Sequence, residues 1–138
     1  MKMLDAIDKG ESPTILGDGS EAFDFVAVED CAFANLCAMK SDISDQFYNV
    51  GTGIRTSLKE LAELLVDLTG CTKKINYASR SSATLVKNRI GCPTKASQEI
   101  NYAAKVELKE GLKRLIEWRN NHKEEVNFRK NAKRIISK

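Results

Sequence analysis

Apolar residues recur at intervals of three and four in three parts of the chain, which is the spacing of one face of an α-helix. The clearest run follows Ser57 and Glu60, which form an S-x-x-E capping box, and ends at Gly70, a typical terminating residue. The three apolar faces consist of Met3, Leu4 and Ile7; of Leu61, Leu64, Leu65 and Leu68; and of Leu108, Leu112, Leu115 and Ile116, with Trp118 near the last. The pattern predicts a short helix ending at Gly10, a capped central helix, and a long helix from about Glu107.

Short runs of apolar or alternating residues predict strands between these helices. Residues 23–28 follow the Gly-Asp-Gly-Ser turn at 17–20 and are apolar on both faces except at Asp24, so they are expected to lie inside a sheet. Further strands are predicted at 13–16, 46–50 and 74–78 and near 89–90, the first as an edge strand because Pro13 begins it. The predicted fold class is therefore α/β, a mixture of short strands and flanking helices.

One predicted helix carries apolar residues on nearly every side. It covers residues 31–39, and Glu29 and Asp30 supply the negative charge that favours a helix N-terminus. A helix without a polar face has to be covered by other elements, so we expect it to be buried. A shorter helix is predicted from Pro93, which suits a first helical position, through Ile100.

The composition is that of a globular protein rather than a disordered or membrane-spanning one. Of 138 residues, 42% are hydrophobic and 30% are charged, which is typical of one folded domain. No run approaches the ~18 apolar residues that a spanning helix needs. The start of the chain lacks the apolar core of a signal peptide, so a cytoplasmic location is expected.

Basic residues are concentrated at the end of the chain. Residues 129–138 contain five basic residues and no acidic one. Such a segment can bind phosphate or nucleic acid by releasing counterions, and the binding would then weaken with salt. Because no nucleic-acid motif and no interleaved aromatic residues accompany it, a basic helix end or tail at 121–138 is the favoured interpretation.

The sequence offers little material for a metal site or a catalytic centre. Cys31, Cys37, Cys71 and Cys92 have no C-x-x-C spacing, so we expect no zinc site and interpret the cysteines as reduced and mostly buried. His122 lies among polar neighbours on a face expected to be exposed, which does not suit a serine triad. No Tyr-x-x-x-Lys occurs in the chain.

The Gly-Thr-Gly segment at 51–53 stands between a predicted strand and a helix, which is the position of a phosphate-binding loop. The third glycine of a dinucleotide-binding loop is missing, because Thr56 stands three residues after Gly53. The alternative is a tight connection in which a glycine takes a positive φ.

Two arginines are a further candidate for anion binding. Arg80 and Arg89 flank a loop rich in small residues. Guanidinium groups bind phosphate oxygens bidentately, so a pair on a loop can hold a phosphate, although exposed arginines are usually only solvated.

Five separated blocks, taken in order, resemble the C-terminal part of NAD-dependent epimerases and dehydratases, the extended short-chain dehydrogenases that act on nucleotide sugars, such as UDP-glucose 4-epimerase. The blocks lie at 17–30, 48–53, 56–61, 95–96 and 108–112, followed by Trp118. They include Gly-Asp-Gly-Ser, Asp-Phe-Val, Tyr-Asn-Val-Gly-Thr-Gly and Thr-Ser-Leu-Lys-Glu-Leu. The resemblance implies a substrate-binding C-terminal lobe at residues 1–120, without a complete Rossmann domain.

In that family the glycine-rich NAD fingerprint and the Tyr-x-x-x-Lys catalytic pair belong to an N-terminal Rossmann domain, and neither occurs in this sequence. In a complete member a hydride passes from the sugar to NAD and returns, or dehydration follows. The resemblance therefore implies that this chain alone binds no NAD, is inactive, and supplies contacts to a UDP- or dTDP-sugar. The first helix, which begins without a cap, is likewise expected to continue from a longer chain.

The resemblance also implies which residues bind the substrate. They are Thr14, Ile15, Leu16, Phe23, Arg80 and Arg89. The first three correspond to a strand whose backbone meets the nucleotide base, and the two arginines to the loop that holds the diphosphate. Phe23 and Ala27 depart from the family pattern, because many members have an arginine and an aromatic or histidine there. Because Phe23 cannot neutralise a diphosphate, Arg80 is expected to be the main cationic contact. Ser82 and Ala83 also replace a common Gly-Asp pair.

Two functions remain open from the sequence. The first is the nucleotide-sugar-binding portion of an epimerase or dehydratase whose Rossmann domain is a missing partner. The alternative is a non-catalytic remnant that acts as a small binding or oligomerisation module. A glycine fingerprint and a Tyr-x-x-x-Lys pair encoded upstream of Met1 would favour the first. In either case an uncovered helix at 31–39 predicts association of the isolated chain into homo-oligomers.

Overall fold

The computed structural model describes residues 2–79 and 86–128. Within those ranges the helices are α1 (Lys2–Asp8), α2 (Val28–Lys40), α3 (Leu58–Thr69), α4 (Thr94–Ile100) and α5 (Leu108–Asn121). The strands are β1 (Thr14–Leu16), β2 (Ala22–Phe23), β3 (Thr56–Ser57), β4 (Asn76–Ala78) and β5 (Asn88–Arg89). Residues 123–128 are helical again after a break at His122. The predicted α/β class with short strands and flanking helices is confirmed.

The strands form two small sheets. In the first, β1 pairs in parallel with β4, and Ile15 lies opposite Tyr77. In the second, β2 is central, antiparallel to β3 and parallel to β5. A parallel pair needs a crossover, and the one from β1 to β4 contains β2, α2, β3 and α3. The strands predicted at 13–16, at 74–78 and near 89–90 are thus present, each within two residues.

Three helices meet in one apolar cluster. Leu4 of α1, Leu65 of α3 and Leu112 of α5 are buried together, and we call them the leucine cluster. The flanking apolar residues are Met3, Ile7, Leu61, Leu64, Leu68, Leu108, Leu115 and Ile116. Arg119 of α5 is buried as well and donates a hydrogen bond of 2.8 Å to Asp5 of α1, so an ion pair also joins the first and last of these helices.

The capping box of α3 forms as the sequence predicts. Ser57 Oγ accepts from the Glu60 backbone N at 3.1 Å, and Glu60 Oε2 accepts from the Ser57 backbone N at 2.7 Å. Gly70 ends the helix in the left-handed region with φ of 65°. α4 and α5 also begin within one residue of their predicted positions.

A second, smaller cluster lies between α2 and α4. It consists of Ala34, Ala96, Ile100 and Tyr102, and we call it the alanine cluster. Polar contacts connect it to distant parts of the chain. The buried carboxylate of Asp30 accepts from Lys105 N at 2.9 Å and from Val106 N at 3.0 Å, and the Tyr102 hydroxyl donates to Gly51 O at 3.2 Å.

The strand predicted at 23–28 is much shorter in the structure. Only Ala22 and Phe23 belong to a strand, residues 24–27 are irregular, and Val28 begins α2. The segment is not buried on both faces either, because residues 23–27 are half-buried and Val28 is 77% exposed. The neighbouring strands β3 and β5 are only two residues long, so they cannot extend the ladder beyond Phe23.

Two other predictions from apolar composition are wrong. The described residues contain no strand at 46–50. Helix α2 is present but is covered on one side only. Ala34 is buried, whereas Leu36 is 43% and Met39 82% exposed, so the helix is not buried on every side and does expose the apolar surface expected of the isolated chain. Composition shows how much apolar surface a segment can bury, but it does not supply the partner that buries it.

The cysteines and the histidine also differ from expectation. Cys92 is exposed and the other three cysteines are half-buried, all four as free thiols, so they are not mostly buried. His122 is half-buried rather than exposed, because its ring stacks on Trp118 with 4.9 Å between the centroids. No helix within the described ranges is both long and apolar enough to cross a membrane. The basic segment 129–138 lies outside them.

Candidate functional site

β1 places the three residues expected to face a nucleotide base at the edge of the two-stranded sheet. Ile15 is 1% exposed and belongs to the protein interior, whereas Thr14 and Leu16 are exposed. Asn76 N donates to Pro13 O and Gly17 N to Ala78 O, both at 2.9 Å, so hydrogen bonds close both ends of the pair. A ligand can therefore meet the side chains of Thr14 and Leu16 but not that of Ile15.

The second sheet brings Phe23 and Arg89 together. They are register partners in the parallel pair of β2 and β5, and Asp24 N donates to Arg89 O at 3.0 Å. Thr56 of β3 is opposite Phe23 on its other side. Directly paired residues share a face of a sheet, so the Arg89 guanidinium and the Phe23 ring lie on one face. Phe23 and Arg89 are far apart in the sequence, so the sequence alone did not predict that they pair.

Arg80, the expected main cation, lies outside the described residues. Its position in the chain is nevertheless informative, because residues 79–87 connect the two sheets. They leave β4 at Ala78, the register partner of Leu16, and enter β5 beside Arg89, the register partner of Phe23. The connection that contains Arg80 thus begins next to one predicted group of site residues and ends next to the other.

A cation that the sequence did not single out lies on the other face of the second sheet. Arg55 donates through Nε to Asn88 Oδ1 at 3.2 Å and through Nη2 to Ser20 O at 3.3 Å. Side chains alternate along a strand, so Arg55 and Asn88 point away from the face that carries Phe23 and Arg89. Arg55 lines an open cavity of about 420 Å³ together with Asp18, Glu60 and Glu63, and these acidic neighbours do not favour a diphosphate.

The Gly-Thr-Gly loop at 51–53 binds a carboxylate of its own chain. Asp24 accepts from Thr52 N at 3.0 Å, from Thr52 Oγ1 at 2.5 Å and from Gly53 N at 2.9 Å. Burial opposes ionisation of Asp24, but these hydrogen bonds outweigh it and hold the pKa of Asp24 below its usual 3.8. A side chain at Gly51 would collide with the same carboxylate.

The loop is therefore a tight connection rather than a phosphate-binding loop. Gly53 has φ of 74°, the left-handed value that the alternative interpretation required. The backbone N–H groups that a phosphate would need already bind Asp24. Residues 51–53 consequently do not form a phosphate cradle. They also contain no cluster of three or more His, Cys, Asp or Glu side chains that could hold a metal ion.

An apolar cavity of about 670 Å³ lies between residues 25–29 and α5. Its walls include Phe25, Val28, Leu115 and Trp118. The Phe25 ring packs edge-on against the Phe23 ring, with 6.2 Å between centroids, so the cavity adjoins the face that carries Arg89. The sequence marked Trp118 only as part of an amphipathic face, because periodicity does not show where a packed helix leaves a gap.

Comparison with known proteins shows what the chain is similar to. Residues 1–51 match the sequence model of the NAD dependent epimerase/dehydratase family. The chain is 33% identical over 119 residues to a putative UDP-glucose 4-epimerase of Methanocaldococcus jannaschii. The alignment covers 86% of this chain and 38% of that protein. It is 29% identical over 114 residues to a UDP-glucose 4-epimerase of Mycolicibacterium smegmatis, covering 83% of this chain and 36% of that protein.

Solved structures agree with these sequence matches. A UDP-glucose 4-epimerase of Thermotoga maritima with UDP-glucose matches at a TM-score of 0.75 and 36% identity, covering 87% of this chain and 37% of that one. A UDP-N-acetylglucosamine 4-epimerase of Methanobrevibacter ruminantium with UDP-N-acetylmuramic acid matches at 0.77 and 26% identity, covering 85% and 37%. The chain thus spans less than two fifths of the proteins it matches. Fold and sequence together show that the chain is homologous to one portion of the proteins of the NAD-dependent epimerase/dehydratase family.

Proposed function

We propose that this chain is the C-terminal, nucleotide-sugar-binding portion of an NAD-dependent sugar epimerase or dehydratase. The observation that carries the proposal is the pairing of β2 with β5, which sets Arg89 beside Phe23 on one face of a sheet. The segment that contains Arg80 leads into that same pair from β4. Two matched structures of at least 26% identity hold UDP-linked ligands, which supports a nucleotide sugar as the ligand class.

The binding residues divide by chemistry. Arg80 and Arg89 neutralise the diphosphate, for which guanidinium groups are well suited. Thr14 and Leu16 offer exposed side chains beside the base. The Phe23 ring supplies an apolar wall in place of a third guanidinium, because it lies next to Arg89 and carries no charge. These contacts would hold a substrate without transforming it.

The reactive part of the enzyme would come from the remaining Rossmann domain, as a partner. The whole chain has neither a Tyr-x-x-x-Lys pair nor a complete glycine fingerprint, and Asp24 occupies the Gly-Thr-Gly loop. NAD, bound by that domain, would supply the hydride transfer of the complete enzyme. The chain by itself is proposed to be inactive.

Thermal shift with UDP-glucose and dTDP-glucose at millimolar concentration tests the proposal. A ligand at tenfold its Kd stabilises by about 1.4 kcal/mol, which raises the melting temperature by roughly 3–5 °C. R80A and R89A should each remove most of that shift, because each removes a charge from the diphosphate. The matched control is R55A, whose guanidinium lies on the opposite face and whose ligand-induced shift should survive.

Two outcomes would contradict the proposal. One is no thermal response of the unsubstituted chain to any nucleotide sugar at millimolar concentration. The other is an equal loss of the shift in R55A and R89A, which would show that positive charge anywhere on the sheet has the same effect.

A second candidate function is a non-catalytic remnant that serves as a small binding or oligomerisation module. The observation in its favour is Phe23, which stands where an additional cation would strengthen a diphosphate site. If this second function is correct, the chain self-associates reproducibly and does not bind nucleotide sugars. Sedimentation analysis with and without UDP-glucose separates it from the first.

A further inference from the structure

Arg89, a proposed contact of the diphosphate, lies on a strand that has little support of its own. Strand β5 is two residues long and, within the described part of the chain, pairs with β2 alone. Ala22 N donates to Lys87 O at 2.9 Å across this pair, and Asp24 N donates to Arg89 O at 3.0 Å. The Arg89 side chain is exposed, and its guanidinium makes no hydrogen bond or ion pair with a described residue. The backbone of β5 therefore decides where the guanidinium lies.

The carboxylate of Asp24 lies against the backbone that follows β5. Burial alone would raise the pKa of Asp24, and the backbone N–H of Gly91 is among the donors that lower it. Gly91 passes so close that a β-carbon there would lie 3.3 Å from Asp24 Oδ2. Because Gly91 is two residues after Arg89, Asp24 holds this strand twice, through its own N–H group and through its side chain.

The same carboxylate binds a loop from a distant part of the chain. Thr52 and Gly53 donate to it through two backbone N–H groups and one hydroxyl, at 2.5 to 3.1 Å. A β-carbon at Gly91 would also lie 4.0 Å from Gly51 Cα, so this loop and the end of β5 are direct neighbours. Three segments, namely the end of β2, residues 51–53 and residues 89–91, therefore meet at one carboxylate.

The loop at 51–53 is itself anchored in the protein interior. The Tyr102 hydroxyl donates to Gly51 O at 3.2 Å, and Tyr102 is fully buried in the alanine cluster. Close packing on all sides holds a buried aromatic ring in one position, so the loop gives Asp24 a fixed reference. Contacts thus run without a break from the alanine cluster through Asp24 to the backbone of Arg89.

We propose that Asp24 is a positioning residue for nucleotide-sugar binding, which holds the strand of Arg89 where its guanidinium meets the diphosphate. Asp24 acts through Arg89, because its oxygens already accept from residues 52 and 53 and its charge has the same sign as a diphosphate. The inference rests on the proposed function, since it names the residue on which the Arg89 contact depends. A role confined to stability would leave the ligand affinity of the folded protein unchanged, so the two roles give different results.

A double-mutant cycle on the full chain tests the proposal, with UDP-glucose titrated and followed by NMR chemical shifts. D24N and R89A should each weaken binding by about tenfold, because a displaced guanidinium loses its charge-assisted bonds as a deleted one does. D24N should add less than about twofold to the loss in R89A, because the residue that it positions is then absent. Losses that multiply in the double variant would overturn the proposal.

The matched control is D30N. Asp30 is likewise a carboxylate that accepts from two backbone N–H groups, those of Lys105 and Val106, but it lies in the first turn of α2. D30N should destabilise the fold in a similar way and leave the affinity for UDP-glucose within about twofold. The titrations are made at a temperature at which circular dichroism shows every variant to be folded. Equal affinities of D24N and D30N would contradict a positioning role.

G91A tests the same contact if D24N does not fold. Its methyl group presses on Asp24 Oδ2, so the end of β5 has to move by a few tenths of an ångström while the charge of Asp24 stays. The φ of Gly91 is not in the left-handed region, so alanine adds no backbone strain there. G91A should weaken UDP-glucose binding by about threefold, because bidentate contacts depend on geometry. An unchanged affinity would overturn the proposal.

Amide hydrogen exchange of the ligand-free chain separates this inference from the proposed function. The Ala22 amide, which donates across the β2–β5 pair, should exchange at least about tenfold faster in D24N and less than about twofold faster in D30N. A chain that shows this difference but binds no nucleotide sugar would refute the proposed function and keep Asp24 as the residue that fixes β5. A chain that binds UDP-glucose, with equal exchange in D24N and D30N, would retain the proposed function and refute this inference.

Discussion

The leucine cluster and the alanine cluster hold the two sides of this protein together in different ways. The leucine cluster joins α1, α3 and α5 through large aliphatic side chains. The alanine cluster joins α2 and α4 through two alanines packed with Ile100 and Tyr102. Polar contacts lie beside it, such as those of Asp30 with the backbone of residues 105 and 106. The leucine cluster buries Leu4, Leu65 and Leu112, whereas Met39 and Phe47, beside the alanine cluster, are largely exposed to solvent.

The difference shows that the two sides of one chain can be held together by different kinds of contact. Burial of large aliphatic side chains supplies most of the free energy of folding, so the leucine side is expected to unfold last. On the alanine side, the charged carboxylate of Asp30 holds residues 105 and 106 in place through hydrogen bonds.

The largest expected effect separates the two clusters directly. L65A removes a buried side chain from the leucine cluster and should lower the free energy of unfolding by about 3 kcal/mol. L36A, on the exposed side of α2, should cost less than about 1 kcal/mol in the isolated chain because its side chain is already partly hydrated. Urea unfolding of both variants measures the difference. Equal losses would mean that α2 is packed as firmly as α3, and the comparison would fail.

The next effect concerns the Asp24 contact that fixes the loop leading out of residues 46–50. D24N keeps the size of the side chain but removes the charge, so it should lower stability at pH 7 by about 2 kcal/mol. Because folding lowers the pKa of Asp24 below 3.8, its contribution is complete well above that pH and disappears as the pH falls through the lowered pKa.

Urea titrations from pH 7 to pH 3 check this dependence. The difference in unfolding free energy between D24N and the unsubstituted chain should be constant near neutrality and shrink at the acidic end. A difference that stays the same throughout would show that the Asp24 charge is not what holds residues 52 and 53.

The smallest expected effect concerns the N-terminal cap of α3, on the leucine side. S57A removes the oxygen that accepts from Glu60 N at the start of α3 and should lower stability by about 1 kcal/mol. The matched control is S44A, because Ser44 is exposed in the loop after α2 and should change stability by less than about 0.5 kcal/mol. Indistinguishable unfolding curves for the two variants would mean that tertiary packing, not the cap, fixes the start of α3.

The candidate site could be predicted only in part. The strand at Thr14–Leu16 was predicted from the chain, and Arg89 was proposed as a site residue from its loop and from the family resemblance. That Phe23 and Arg89 are neighbours did not follow, because 65 intervening residues carry no record of which strands pair. Arg55 was missed for the same reason, since its partner Asn88 is 33 residues away.

Local chemistry by itself determined where helix α3 of the leucine side begins and ends. The capping box at Ser57 and Glu60, the left-handed Gly70 and the leucine spacing all act within one or two turns of helix, so the sequence contains their complete cause. Tertiary structure alone decided which amides Asp24 and Asp30 bind, at separations of up to 76 residues. A carboxylate's preference for backbone N–H groups is general, and only the folded chain selects which ones it meets. Strand pairing is likewise decided only in the folded chain, and residues 46–50 have no strand partner among the described residues although their composition favours a strand.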